Sequence, residues 1–412
     1  MQDRRCFLRC SGGIVLGAMA GMAGASMLAA ASPGAVSEPR PAAGARQPIR
    51  LFLCGDVMLG RGIDQILPYP SDPALHEAFV RDARDDLELA LRTGAEIPVP
   101  AQFDYVWGDA LEVLASRRPQ LRIINLETSI TRSDRPWPKG IQYRMHPRNA
   151  PCLTAARIDC CVLANNHVLD WSREGLLETL RTLRRLRIAT AGAGADGESA
   201  RAPAELPLGD GARLLVFAAA TGDSGVPEAW AADDRRPGIW RLSDLSDATV
   251  SSIAAEVARH RQPLDRVVMS LHWGDNWGYD LAPGQRVFAH ALIDQAGVDL
   301  VHGHSSHHPR TLEVHNGRLV LYGCGDFLND YEGIRGHEAF RGELGAMYFP
   351  QLDATSGALL GIELVPTRVQ RFRINRVGDE DRRWLLAMLQ REYGRFGARV
   401  SPLPGGGFAV SW

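Results

Sequence analysis

Five short polar signatures punctuate this chain, and each stands where an apolar run of strand length stops. They are Gly55-Asp56, Asn125-Leu126-Glu127, Asn165-Asn166-His167, His272-Trp273-Gly274 and Gly303-His304-Ser305-Ser306-His307-His308; the runs before them read LFLC, LRII, CCVLA, VVMSL and DLVH. Strands that carry carboxylate, amide and imidazole groups to one edge of a sheet are how an α/β protein assembles a metal-centred site. The first expectation is therefore an α/β chain with a hydrolase-like metal site.

The spacing between signatures supports this. Strands are expected at 50–54, 121–124, 159–163, 213–218, 266–271 and 299–302, with helical periodicity through 73–92, 105–115, 173–186, 244–261 and 283–296. This alternation predicts a largely parallel or mixed sheet. Beyond Pro309, Asn316-Gly317 marks a hairpin between 311–314 and 318–322, further strands are expected at 345–352, 358–365 and 367–374, and a helix at 380–396.

At 412 residues the chain is long enough for one large domain with appendages, or for two domains. A formal net charge of −2 argues against a dedicated nucleic-acid binder. Nearly all positive charge is arginine, and Lys139 is the only lysine; no function is read from that bias. Residues 1–31 read as an export signal, with Arg4-Arg5 before Cys6-Phe7-Leu8 resembling a twin-arginine start and a Gly/Ala-rich apolar stretch behind it. An uncleaved membrane anchor is the alternative. Either way an exported location, periplasmic or extracellular, is expected. Residues 32–48 are a Pro/Ala/Gly-rich tether. Of seven cysteines, two lie in the signal and no CxxC spacing occurs, so neither zinc-thiolate chemistry nor a disulfide framework is expected.

Taken alone, Asp56 reads as a turn former and Glu127 as unremarkable. Asn166-His167 is harder to dismiss, because two amides and an imidazole end a strand and Asp170 follows in position to orient the ring; a satisfied structural histidine remains the other reading. His272 at a strand end needs a hydrogen bond or a metal. The cluster His302, His304, His307 and His308 is the strongest local signal. Such mixed ligands suit Zn²⁺, Mn²⁺ or Fe. Two ions roughly 3.5–4 Å apart would polarise a phosphoryl oxygen and ionise a bridging water. Arg61 and Arg144 are candidates for binding an anionic substrate.

In order, GDVMLGR, NLETSIT, ANNHVLD, SLHWG, GHSSHHP and YGCGDF resemble the CapA family of poly-γ-glutamate capsule biosynthesis proteins, itself similar to the calcineurin-like metallophosphoesterase superfamily. The resemblance spans roughly 49–331. It implies a four-layer αββα sandwich of mixed sheets over 49–332, with 333–412 extending the same domain. It also implies that Asp56, Glu127, Asn166, His272, His304 and His307 are metal ligands. In it Glu127 bridges two ions, Asn166 and His272 bind one of them, and His167 acts as general acid or phosphate contact; Asp170, read from the residues alone, is the group expected to orient His167. The chain departs from the superfamily pattern at Met58, where a histidine is usual, at Glu127 in place of aspartate, and in a last motif stretched to Gly-His-x-x-His. Asn276, Trp277 and Asp326 also differ from many relatives. The site is expected to hold one or two divalent ions. Two functions follow from the resemblance: metal-dependent hydrolysis of a phosphoester or related bond, or a non-catalytic accessory role binding an anionic capsule polymer beside membrane-bound synthesis machinery.

Overall fold

The computed structural model describes residues 46–412 apart from positions 79, 93, 95 and 335; the signal segment 1–31 and most of the 32–48 tether lie outside the described residues. Strand Ile49–Val57 is buried along almost its whole length, which places it centrally rather than at an edge. It pairs in parallel with Leu121–Leu126, which pairs with Cys160–Val162 and then Ala189–Ala191. On its other side it runs antiparallel to Leu344–Leu352, followed outward by Leu359–Gln370, Phe408–Ser411 and Arg399–Pro402. The C-terminal strands therefore build half of this larger sheet.

A second sheet has the order Leu312–His315, Arg318–Leu321, Leu300–His304, Arg266–His272, Ala212–Ala220, Ala204–Gly209. Its alternation shows how it packs. Leu214, Val216, Ala218, Val268 and Leu300 face the larger sheet and join the main core. Leu215, Phe217, Val267, Met269 and Val301 face outward and pack on helices Asp247–His260 and Gln285–Asp294 through Val250, Ile253, Phe288 and Leu292. Helices Ala110–Arg117 and Ser172–Arg185 pack into the main core through Val113, Leu114, Leu176 and Leu183. Two mixed sheets between helical layers give the expected αββα arrangement.

The expected helix over 73–92 is present only as Arg84–Arg92. Before it, Ala74 and Asp82 form an antiparallel bridge, and the Asp82 side chain accepts the Arg84 N–H at 2.9 Å, so the first helical turn starts there. The 367–374 strand is broken at Arg371 and Phe372, both left-handed, and the chain turns back as Arg373–Arg376. Asn316 and Gly317, with φ of 47° and 73°, make the hairpin turn their sequence predicts.

One close approach decides where the first signature sits. A Cβ on Gly55 would lie 1.8 Å from the Gly325 carbonyl oxygen. Only glycine lets Ile49–Val57 meet Asp326–Leu328 closely enough to pair Asp56 with Asp326.

Candidate metal centre

The five signatures converge at the C-terminal ends of parallel strands from both sheets. Asp56, Glu127, His272 and His304 sit at the ends of Ile49–Val57, Leu121–Leu126, Arg266–His272 and Leu300–His304; Asn166, His167 and His307 sit on the loops that follow strands. Asp56, His272 and His304, all buried, place ligand atoms within 4.8 Å of one another.

A hydrogen-bonded chain sets the protonation of His304. Burial pushes His302 down to about 4, so its ring is neutral near pH 7. Its Nε2 lies 2.8 Å from the Cys54 carbonyl, which can only accept, so Nε2 carries the proton and Nδ1 is bare. The Ser270 hydroxyl donates to that Nδ1 at 3.1 Å and so accepts from His304 Nε2 at 2.9 Å. His304, held well below its ordinary value by burial, therefore presents an unprotonated Nδ1 to the centre. It faces His272 Nδ1 at 2.8 Å and Asp56 Oδ1 at 3.9 Å. Two nitrogens on one tetrahedral Zn²⁺ would stand about 3.3 Å apart, so a small opening of this pair would admit an ion.

Asp56 and Glu127 bring oxygen donors to the same group. Asp56 Oδ2, Glu127 Oε2 and Asn166 Oδ1 are buried and have no hydrogen-bond partner. Glu127 Oε1 lies between His167 Nε2, at 3.8 Å, and His272 Nε2, at 3.9 Å. Burial, reinforced by neighbouring carboxylates, raises Asp56 to about 7 and Glu127 well above the carboxylate range. Buried carboxylates with orphaned oxygens beside neutral imidazoles are the donor set of a divalent cation, whose charge reverses those shifts. An amide chain fixes Asp56: Asn125 Nδ2 donates to Asp56 Oδ1 at 2.7 Å, and Asn165 Nδ2 to Asn125 Oδ1 at 2.9 Å.

His307 stands apart from the other imidazoles. Its Nδ1 lies 2.9 and 3.0 Å from the two oxygens of Asp326, which also accepts from Asn329 at 2.8 Å. Burial opposes a charge on His307, but Asp326 outweighs it and raises the ring above its ordinary value. Where Met58 replaces the expected histidine, its Sδ accepts from the Tyr331 hydroxyl at 3.4 Å, and Tyr331 is bonded in turn to the Tyr143 hydroxyl at 2.8 Å. A cavity of about 360 Å³, lined by Trp277, Asn329, Tyr331, His337 and Arg368 among others, opens beside this edge.

His167 turns its Nδ1 to Asp170 Oδ2 at 2.6 Å and its Nε2 toward Glu127. Lys139 Nζ meets the other Asp170 oxygen at 2.7 Å.

The two arginines do different work from that expected. Arg61 is buried and committed to Asp86 at 2.8 Å, Glu77 at 3.3 Å and Asp330 at 3.4 Å, so its fork is saturated by carboxylates. Arg144 donates to the Ser133 and Asp72 carbonyls at 2.8 and 2.9 Å and stacks 3.8 Å over Trp171. Neither guanidinium is open to an anionic substrate at the centre. Asn125 and Ser270 lie inside motifs read from the sequence, NLETSIT and SLHWG, but were given no role there; Lys139 and Tyr331 lie outside every such motif and carry no local signal.

Comparison with known proteins places the segment that carries these motifs in a family. The sequence model of the bacterial capsule synthesis protein family PGA_cap matches residues 50–331. A probable polyglutamine synthesis accessory protein of Mycobacterium tuberculosis H37Rv is 47% identical over 361 residues, covering 86% of this chain and 94% of its own. The PGA biosynthesis protein CapA of Bacillus subtilis is 30% identical over 167 residues, covering 40% of this chain and 41% of its own. Among solved structures, a phosphatase from Mycoplasma pneumoniae aligns with a TM-score of 0.44 at 11% identity, over 77% of this chain and 93% of its own. The chain belongs to the bacterial capsule synthesis protein family PGA_cap.

Proposed function

We propose that this is an exported, CapA-like accessory protein of poly-γ-glutamate or capsule synthesis whose centre hydrolyses a phosphoester or related bond with a divalent metal bound. The observation that carries this is the convergence of Asp56, His272 and His304 with the unpartnered oxygens of Asp56 and Glu127. Asp56, Glu127, Asn166, His272 and His304 would hold Zn²⁺, Mn²⁺ or Fe, with His307 at the edge of the same centre. The bound ion would supply a Lewis acid and a water acidic enough to ionise near neutrality.

The chain's own residues supply the rest. Asp170 holds the His167 ring through Nδ1, so Nε2 is the atom presented to a substrate oxygen. A proton at Nε2 can then pass to the leaving group. Burial pushes His167 down to about 4, which makes its imidazolium a strong acid when it forms. Purified protein loaded with Mn²⁺ or Zn²⁺ should cleave p-nitrophenyl phosphate mono- or diesters, and Asn166→Ala, His272→Ala and His307→Ala should each abolish it. Undiminished turnover in all three would refute the reading.

Met58 favours a second reading, a non-catalytic protein that holds an anionic polymer for membrane-bound synthesis machinery, because one imidazole of the superfamily pattern is missing. Polymer binding by metal-free protein with no turnover of any phosphoester would favour it. The engagement of Arg61 and Arg144 elsewhere weighs against it. Among the described residues no helix is long and apolar enough to cross a membrane.

A further inference from the structure

Lys139, the only lysine in 412 residues, reaches the centre from a loop that carries none of the five signatures. Its Nζ lies 2.7 Å from Asp170 Oδ1, donates to the backbone carbonyl of Asn166, and stands 3.3 Å from His167 Nδ1. One ammonium thus touches the residue that orients His167, the backbone of Asn166, and the His167 ring. Asp170 is fully buried, and its remaining contacts are the Tyr143 N–H at 2.6 Å, His167, and its own carbonyl accepting from the Trp137 N–H at 2.7 Å.

The loop is built to deliver that amine. Pro136 and Pro138 flank Trp137 and restrict the backbone. The Trp137 ring packs edge-on against Trp230 with centroids 5.8 Å apart, and Gln142 Nε2 ties the carbonyls of Trp137 and Lys139 at 3.0 and 2.5 Å. The Lys139 amine itself lies 5.3 Å from the Trp230 ring. An arginine fork is larger and planar, and does not fit a point contact shared by a carboxylate, a carbonyl and an imidazole.

We propose that Lys139 is the positioning residue of this centre: it pins the Asn166 carbonyl and the Asp170 carboxylate together, and so fixes both the Asn166 amide and the His167 ring. The proposal rests on the metallohydrolase reading for its kinetic consequence, but its structural consequence is independent of turnover.

The test uses the full chain with Lys139→Met and Lys139→Cys, the latter before and after alkylation with 2-bromoethylamine. The introduced thiolate displaces bromide, leaving a thioether that carries an amine of nearly lysine length. Wild type treated in parallel controls for the native cysteines, five of which are buried and free. Two readouts are taken: kcat and KM on bis-p-nitrophenyl phosphate, and the ring signals of His167 in long-range ¹H–¹⁵N spectra, assigned with His167→Gln. The expected result is a 10- to 100-fold fall in kcat, roughly the range for outer-shell partners, with KM changed less than about threefold. The His167 signals should shift or broaden in both variants, and aminoethylation should restore signals and turnover together. Unmoved His167 signals in Lys139→Met would overturn the proposal, as would an alkylated Lys139→Cys, confirmed by mass spectrometry, whose signals stay displaced. If wild type shows no turnover, the hydrolase reading fails, and the His167 signals alone still support or overturn the role of Lys139.

Discussion

His272 and His304 face each other through their Nδ1 atoms at 2.8 Å, from opposite positions on two paired parallel strands. Strand register brings the rings together, and the Cys54–His302–Ser270 chain decides which nitrogen of His304 is bare. The second effect is as necessary as the first, because a protonated Nδ1 is no ligand. Ser270→Ala removes the hydroxyl and leaves His302 Nδ1 and His304 Nε2 unpaired. Metal affinity should fall about 10- to 100-fold and stability by about 1–3 kcal/mol. Competition against a chromophoric chelator and urea unfolding measure the two.

The same chain predicts a pH dependence for metal-free protein. His302 is held at about 4 by burial, below the roughly 6.5 of an unfolded imidazole. Between those values the unfolded chain takes a proton that the folded ring refuses, so this contribution is complete above about pH 6.5 and is lost as pH falls toward 4. His302→Gln should flatten that acid limb by on the order of 2 kcal/mol between pH 7 and 4.5. Urea midpoints at the two pH values give the comparison. His167 and His308, also pushed down to about 4 by burial, keep part of the limb in place.

Arg61 separates a structural from a substrate role. Arg61→Leu leaves Asp86, Glu77 and Asp330 buried without their cation. Breaking such a network from one side costs about 3–5 kcal/mol. The variant should melt earlier but keep its KM for a phosphoester at a temperature where it is folded. A KM raised tenfold with unchanged stability would return Arg61 to the substrate.

Much of this architecture is legible from sequence for one reason. RVVMSLH is buried throughout and IRLFLCGDV at every position but Arg50, so their apolar character survives without help from distant residues. Polar groups at their ends then stand out, as His272 and His304 do. What is not legible depends on partners far along the chain. The three carboxylates around Arg61 come from positions 77, 86 and 330, and no local pattern joins them. Asp326 acquires its place only because Gly55 and Gly325 let two strands touch. The turn at Arg371-Phe372 lacks the usual glycine or asparagine; burial of the Phe372 ring and the Tyr105 hydroxyl on the Arg371 carbonyl at 2.8 Å hold it instead.

The central claim is that these strand ends hold a divalent cation. Elemental analysis of purified wild type and His304→Ala, prepared side by side and dialysed against the same metal-free buffer, tests it most directly. At least one equivalent of Zn, Mn or Fe in wild type, reduced severalfold in His304→Ala, is the predicted result. Wild type with no metal above background after incubation with each ion, or with the same content as His304→Ala, would contradict it.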